Sequence, residues 1–492
     1  RGMLVLNPEW LGMGQLSGDG YRHGRMNQLD LCGTSGLGPF YLAMSRGLDV
    51  LLALEHADPE RVAVSGLSGG GWQTIIISSL DTRVKLTDPV AGYSSFRTRV
   101  RHFSDLGDSE QTPCDLATVA DYAQLTALMA PRPTLLTFNA KDDCCFAADH
   151  ALPPLLDAAR PIFQLYGKEL NLRWHVNHHP GNHNFDRENR EAFYRMLGDF
   201  FCTDDKSYSS FEIPSEMELK TKEEVAIELP AENANFQTLA MELSQDLPRT
   251  PEVPSDATAF GVWRQANRAK LREVVRAKQY AVQGETVHSE ENDGVTATCW
   301  RLKVGDAWTV PAVELVRGEP KGTVIHVADA GRASVADEAG KLVADGMRVL
   351  AVDPFYFGES KIAQKDYLFA LLLATVGDRA LGIQASQLAA IARWTQSRGK
   401  SGLATIAATG PRSSTIALVA AGLEDRAIGG VRLRGSLGSL KEVIEKNNWS
   451  FEQAPELFCF GLLEAFDIPQ LAALVAPRPV KFETSSAAGG SQ

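Results

Sequence analysis

Arg61-Val62-Ala63-Val64-Ser65-Gly66-Leu67-Ser68-Gly69-Gly70-Gly71-Trp72-Gln73-Thr74 joins a short β-branched run to a glycine-rich turn, and then to an apolar segment, Trp72 to Ile77, that can begin a helix. At the turn, Gly66-Leu67-Ser68-Gly69-Gly70 fits G-x-S-x-G. In a nucleophile elbow the serine sits on a strained strand-to-helix turn, and flanking glycines let the backbone pass without side-chain collisions. Ser68 is therefore expected at a helix N-terminus, with the amide of Gly69 placed to hydrogen-bond a developing oxyanion. Read alone, the pentapeptide also fits a tight turn and nothing more, so the rest of the chain has to supply the partners.

A serine hydroxyl is a weak nucleophile near neutral pH and needs a neighbouring base, which itself needs an orienting carboxylate. Both follow downstream, each behind a predicted strand. The strand Thr134 to Phe138 leads into Asn139-Ala140-Lys141-Asp142-Asp143-Cys144-Cys145, and the strand Leu172 to Val176 into Asn177-His178-His179-Pro180-Gly181-Asn182-His183-Asn184-Phe185. Asp142, three residues past the turn residue Asn139, is the expected acid, and Asp143 is the second choice. An aspartate pair that only caps a turn or helix is the plain alternative. His183 is the expected base, because an apolar residue and a helix follow it and can pack it in place. His178 and His179 precede a Pro-Gly turn and read as loop or substrate-side histidines. A metal cluster of His175, His178, His179 and His183 is disfavoured, since Pro180-Gly181 breaks the helix that i,i+4 ligand spacing requires. No metal and no cofactor is expected.

The chain has 492 residues, enough for two domains with full cores, and a formal net charge of -12. That charge argues against a nucleic-acid or anionic-membrane surface. The basic run Arg264 to Lys278 carries apolar residues (Leu271, Val274, Val275) at helical spacing and reads as a solvated amphipathic helix. Seven cysteines are too few and too scattered for a disulfide framework, and the adjacent Cys144 and Cys145 are badly placed for an ordinary structural bridge. No apolar run reaches the roughly 18 residues that span a bilayer, and no signal peptide is visible.

Strands alternate with helices through residues 1–202, which predicts a parallel sheet covered on both faces, with the chemistry at the carboxyl ends of its strands. Predicted strands are Met3 to Leu6, Val62 to Ser65, Lys85 to Ala91, Thr134 to Phe138 and Asn171 to Asn177. Predicted helices are Phe40 to His56, Trp72 to Ser79, Leu116 to Leu128, Asp149 to Ala159 and Arg187 to Phe201. Residues 204–260 read as a connecting arm, and residues 261–492 as a second α/β domain. The second domain echoes the first: Gly2-Met3-Leu4-Val5-Leu6 by Gly346-Met347-Arg348-Val349-Leu350, and Ala130-Pro131-Arg132-Pro133 by Ala476-Pro477-Arg478-Pro479. The elbow then falls opposite Ala407-Ala408-Thr409-Gly410-Pro411, and Asp142 opposite Ala488. Agreement of order and spacing predicts a tandem duplication whose first copy, residues 1–203, lacks its N-terminal strands. The second copy is expected to be non-catalytic and to pack on the first.

The GLSGGG elbow, the Ala-Pro-Arg-Pro strand entry, the Asp-Asp-Cys-Cys turn and the Gly-Asn-His-Asn-Phe loop resemble bacterial α/β-hydrolases of the acetyl xylan esterase-like group. The resemblance covers most of residues 1–202 and, more weakly, 290–484. It implies a tandem of doubly wound, mostly parallel α/β-hydrolase folds. It also implies hydrolysis of carboxylic esters, acetyl groups on plant polysaccharides among them, through an acyl-enzyme on Ser68. His183 would act as general base and then general acid, and Asp142 as its orienter. A small-molecule or polysaccharide ester is then the expected partner, and an extracytoplasmic bacterial location follows from such substrates.

Trp10, Trp72 and Trp174 lie near strand ends or the elbow. Trp10 and Trp72 are the expected substrate-binding aromatics, since aromatic faces suit sugar rings. Residues 96–114 are expected either to cap the site or to form a plain surface loop. Two other readings stay open at this stage: a serine peptidase of the prolyl-oligopeptidase kind, which uses the same three groups, and a non-catalytic binding or scaffold protein.

Overall fold

The computed structural model describes residues 2–250, 252–362, 366–399 and 402–483. Ala488, aligned with Asp142 in the sequence, lies outside the described residues. The chain divides into two compact units, Arg1–His23 with Gly36–Asn235, and Gly24–Ser35 with Phe236–Gln492. These boundaries differ from the compositional ones in two places. The arm divides at Asn235, and the short helix Asn27–Leu31 belongs to the second unit. That helix is buried along nearly its whole length, and its Gln28 side chain donates to the Asn447 side chain at 2.7 Å.

In the first unit the main elements are α1 (Leu37–Leu52), β1 (Ala63–Leu67), α2 (Gly69–Leu80), β2 (Leu86–Val90), β3 (Thr134–Asn139), α3 (Ala148–Leu165), β4 (Leu172–Asn177) and α4 (Arg187–Phe201). The four strands pair in the order β1-β2-β3-β4, all parallel. Side chains alternate across a strand, and β1 shows both faces covered. Val64 packs with Leu48 of α1 and Ile77 of α2, while Ala63 packs with Ala192, Met196 and Leu197 of α4. Every residue of β2 and β3 is buried, Asp88 and three threonines included, as in central parallel strands covered on both faces. The predicted strand Met3 to Leu6 is not formed. Those residues have no ladder partner and Val5 is 83% exposed, because an apolar run becomes a strand only where a neighbouring edge accepts its amides.

The second unit contains α5 (Ala257–Val274), β5 (Val282–Asn292), β6 (Val295–Val304), β7 (Trp308–Arg317), β8 (Thr323–Ala328), β9 (Arg348–Val352), β10 (Ala404–Thr409), α6 (Pro411–Leu423), β11 (Ile428–Arg434) and β12 (Val480–Glu483). Its sheet runs β12-β11-β10-β8-β9-β7-β6-β5. The pairs from β12 to β9 are parallel, and those from β9 through β7 and β6 to β5 are antiparallel. The expected amphipathic run is α5, with Leu271 fully buried. Sequence reading missed β5. Its side chains are polar on both faces and almost all exposed, as suits an edge strand that must not attract another edge. Among the described residues no single helix is long and apolar enough to cross a membrane.

Candidate active site

Ser68 stands between β1 and α2 with φ 58° and ψ -118°, a left-handed conformation that a serine adopts only when its surroundings impose it. Those surroundings are close packing. A Cβ on Gly66 would lie 2.8 Å from the Gly70 carbonyl carbon, and one on Gly69 would collide with the Trp10 ring. The Ser68 amide donates to the Val90 carbonyl at 2.9 Å, and its carbonyl accepts the Trp72 amide at 2.9 Å. Both ends of the turn are thereby tied, one to β2 and one to α2. The first amides of a helix have no intrahelical acceptor, so the Gly69 N–H at the start of α2 is free of any helical partner beside the Ser68 side chain.

Because β1 to β4 are parallel, the segments leaving their carboxyl ends gather on one edge. Asp142 follows β3 there and His183 follows β4. His183 Nδ1 lies 2.8 Å from Asp142 Oδ2 and 3.0 Å from Oδ1, and the Asp142 side chain is fully buried. Asp143 is not the ring's partner; its Oδ1 accepts the backbone N–H of His183 at 3.0 Å. Among the described residues the Ser68 hydroxyl makes no hydrogen bond to the His183 ring. The structure thus joins the acid to the histidine and leaves the serine on the same sheet edge without that bond.

Burial alone would raise the Asp142 carboxyl. Hydrogen bonds from His183, from the Cys145 amide and from Asn139 outweigh it and hold the carboxyl below its ordinary range. The Asn139 side chain donates to Asp142 Oδ2 at 3.2 Å, and the amides of Cys144 and Cys145 each donate to Oδ1 at 3.1 Å. A carboxylate so supplied stays ionised and can orient a histidine.

Sequence reasoning missed the asparagines that hold these two loops. Asn139, Asn177, Asn184 and Asn189 are all buried. Asn189 donates to Asn139 Oδ1 at 3.0 Å, Asn184 to Asn177 Oδ1 at 3.1 Å, and Asn177 Oδ1 also accepts the Gly181 amide at 2.9 Å. The backbone of Ala140 bonds to Asn177 and that of Lys141 to Gly181, at 2.9 and 2.8 Å. The clue in the sequence was an asparagine at the end of each strand and on either side of His183. Buried amides persist only when bonded.

Trp72 is not a substrate-binding residue. It is fully buried, because α2 turns it inward, and its indole N–H donates to the Tyr122 hydroxyl at 2.7 Å. Trp174 is half exposed on β4 under the Arg160 guanidinium. Trp10 does border the elbow. Its ring lies against Gly69 and packs on Phe40, Trp72 and His23, with centroids at 5.3, 6.0 and 5.4 Å.

Residues 96–114 are a packed layer and not a plain loop. Arg99 is fully buried with its guanidinium over the rings of Tyr122, Phe96 and Phe146, and it donates to the Gln111 carbonyl at 2.8 Å. From the same layer, buried Glu110 and exposed Asp108 face His23, with His23 Nδ1 3.0 Å from Glu110 Oε2. Among the described residues, these three have ligand atoms close enough together to hold a metal ion, and the histidines after β4 do not. Burial would lower the His23 pKa, but hydrogen bonds and charge from Asp108 and Glu110 push it up to about 10. Burial pushes the Glu110 carboxyl up as well.

No family model matches this chain, and no curated protein does. Solved structures similar to it include a putative acetyl xylan esterase from Bacteroides fragilis NCTC 9343, with a TM-score of 0.44 and 16% identity over 52% of this chain and 77% of that one. A glucuronoyl esterase from Solibacter usitatus has a TM-score of 0.35 and 13% identity, over 46% of this chain and 75% of that one. Acetyl xylan esterase 1 from Thermoanaerobacterium sp. JW/SL YS485 has a TM-score of 0.34 and 13% identity, over 48% and 88%.

The second unit has a strand-turn-helix of the same kind without the nucleophile. Gly410, with φ 108°, stands between β10 and α6; its amide donates to the Arg434 carbonyl at 2.8 Å and its carbonyl accepts the Ser414 amide at 3.0 Å. These are the bonds Ser68 makes, so Gly410 takes the place that sequence alignment gave to Thr409. A side chain at Gly410 would collide with the Asp329 carboxylate, which accepts the amides of Ser413 at 2.8 Å and Arg412 at 3.2 Å. The helix end that would greet an oxyanion is already occupied by the protein's own carboxylate.

Proposed function

We propose that this chain is a serine hydrolase of carboxylic esters working through an acyl-enzyme, with Ser68 as nucleophile, His183 as base and then acid, and Asp142 as orienter. The observation that carries this reading is the buried Asp142–His183 pair at the carboxyl edge of the sheet whose first strand ends at a left-handed Ser68. With Nδ1 held by the carboxylate, Nε2 of the ring is the nitrogen left to take a proton from serine. Catalytic hydrogen bonds are often long until substrate is bound, which accommodates the unmade bond between Ser68 and His183. The Gly69 amide is the oxyanion donor at hand.

Acetyl esters of plant polysaccharides, met outside the cytoplasm, are the substrates we favour. Trp10 beside the elbow offers an aromatic face to a sugar ring. The second unit is read as a degenerate copy of the first, on the matching bonds of Ser68 and Gly410. Lacking a nucleophile and with Asp329 on its helix end, it performs no hydrolysis.

Treating the protein with a fluorophosphonate and assaying p-nitrophenyl acetate against an aminoacyl-anilide tests this. The expected result is one label, on Ser68, with acetate released; S68A should show neither. An unlabelled, inactive wild-type chain would favour a binding role, and preference for the anilide would favour a peptidase.

A further inference from the structure

We infer that Cys144 and Cys145 form a thiol–disulfide modification site that governs how firmly the Asp142 carboxylate is held. The two thiols are free, and Cys145 Sγ–H donates to Cys144 Sγ at 3.6 Å. Cys144 is exposed and Cys145 half-buried. Burial, followed by the charge of the neighbouring sulfur, pushes the Cys145 thiol up, so the exposed Cys144 is the sulfur that meets an oxidant first.

With a small-molecule disulfide such as oxidised glutathione as oxidant, the Cys144 thiolate attacks one of its sulfurs. The glutathione S–S bond breaks and one glutathione thiolate leaves. Cys145 then gives up its proton and attacks the Cys144 sulfur of the mixed disulfide, forming the Cys144–Cys145 bond and expelling the second glutathione thiolate. Two protein thiols are oxidised, one small-molecule disulfide is reduced to two thiols, and the protons of the cysteines end on glutathione.

The consequence for Asp142 follows from geometry. A disulfide needs its sulfurs about 2 Å apart and usually joins Cα atoms more widely spaced than the ~3.8 Å of chain neighbours. Closing the ring therefore turns the peptide between Cys144 and Cys145. That peptide carries the Cys145 N–H, which with the Cys144 N–H holds Asp142 Oδ1. The next residue cannot follow, since Phe146 is fully buried with φ 63° and its amide is bonded to buried Asp105 at 3.1 Å. No water replaces a donor lost at the fully buried Asp142 side chain. The carboxylate then orients His183 less well, and ester hydrolysis falls.

The effect on rate rests on the hydrolase reading above; the modification itself does not. The full-length protein is incubated with dithiothreitol or with oxidised glutathione. It is then read three ways: non-reducing peptide mass, backbone amide exchange across residues 140–147, and hydrolysis of p-nitrophenyl acetate. Oxidised glutathione should make the peptide holding both cysteines lighter by two hydrogens, speed amide exchange at 144 and 145, and lower kcat at least about tenfold, short of the ~10⁴-fold that removal of the acid costs. Dithiothreitol should reverse all three. C144A, compared with its own reduced rate, should lose the response, and C145A should stop at the mixed disulfide of Cys144 with glutathione, without the loss of two hydrogens. A peptide mass unchanged by the oxidant overturns the proposal, and so does a closed ring with unchanged amide exchange. If the reduced protein neither hydrolyses esters nor labels at Ser68, the hydrolase reading fails, and mass and exchange still decide this one.

Discussion

Asp142 and His183 are bonded side chain to side chain, whereas the adjacent Asp143 reaches only the His183 backbone. The two aspartates therefore differ in what they do, and mutation separates them. D142N should lower kcat by about 10⁴-fold with little change in KM, because the ring loses the carboxylate that fixes its tautomer. D143A removes one loop bond and should cost about tenfold or less. Equal losses in steady-state assays of the two variants would contradict the assignment.

Trp10 and Gly69 are in contact, so an added methyl at Gly69 must push the indole away. G69A should reduce kcat/KM for p-nitrophenyl acetate by about 10- to 100-fold. W10A/G69A should lose less than the sum of the single variants, since the collision is gone. Strict additivity in that cycle would show that Trp10 does not wall the elbow.

His23 ties Trp10 to buried Glu110. H23A leaves that carboxylate without its counter-charge and should destabilise the protein by about 3 kcal/mol or more in urea unfolding. With a folded pKa raised to about 10 from the ordinary 6.5, the stability that His23 supplies is complete below pH 6.5. It drains away as pH rises through 10. A urea midpoint for H23A within error of wild type would count against a stabilising His23–Glu110 pair.

Asp88 is fully buried on β2, accepting hydroxyl hydrogen bonds from Thr137 at 2.7 Å and Ser65 at 3.0 Å. Burial outweighs those two bonds and pushes its carboxyl up to about 7. A raised acid favours the folded state below its ordinary pKa of 3.8, and that contribution is lost as pH climbs from there through 7. D88N, neutral at every pH, should flatten the fall in Tm between pH 4 and 8 and gain on the order of 2 kcal/mol over wild type at pH 8. Parallel Tm curves for the two proteins would refute the buried neutral acid.

Asp329 caps α6, whereas the Ser68 side chain at the start of α2 makes no capping hydrogen bond among the described residues. D329A should cost about 0.5–2 kcal/mol of stability, as lost caps do, and leave ester hydrolysis unchanged. G410S should gain no fluorophosphonate label, because the carboxylate already fills the space. A second labelled serine in G410S would mean that the second unit retains a working oxyanion site.

The sequence by itself determined the elbow, the order serine, acid, histidine, and α4 to the residue, because a strained serine turn and a 3.6-residue apolar period are local and need no partner. It placed Asp142 and His183 in the two loops that meet. Only the tertiary structure decided what depends on an opposite surface: that Met3–Leu6 finds no edge to pair with, that Trp72 faces the core, that Asp142 and not Asp143 takes the ring, and that Gly410 and not Thr409 matches Ser68. Each of these turns on which group lies across from a residue once the chain is folded, and sequence spacing carries no record of that distance.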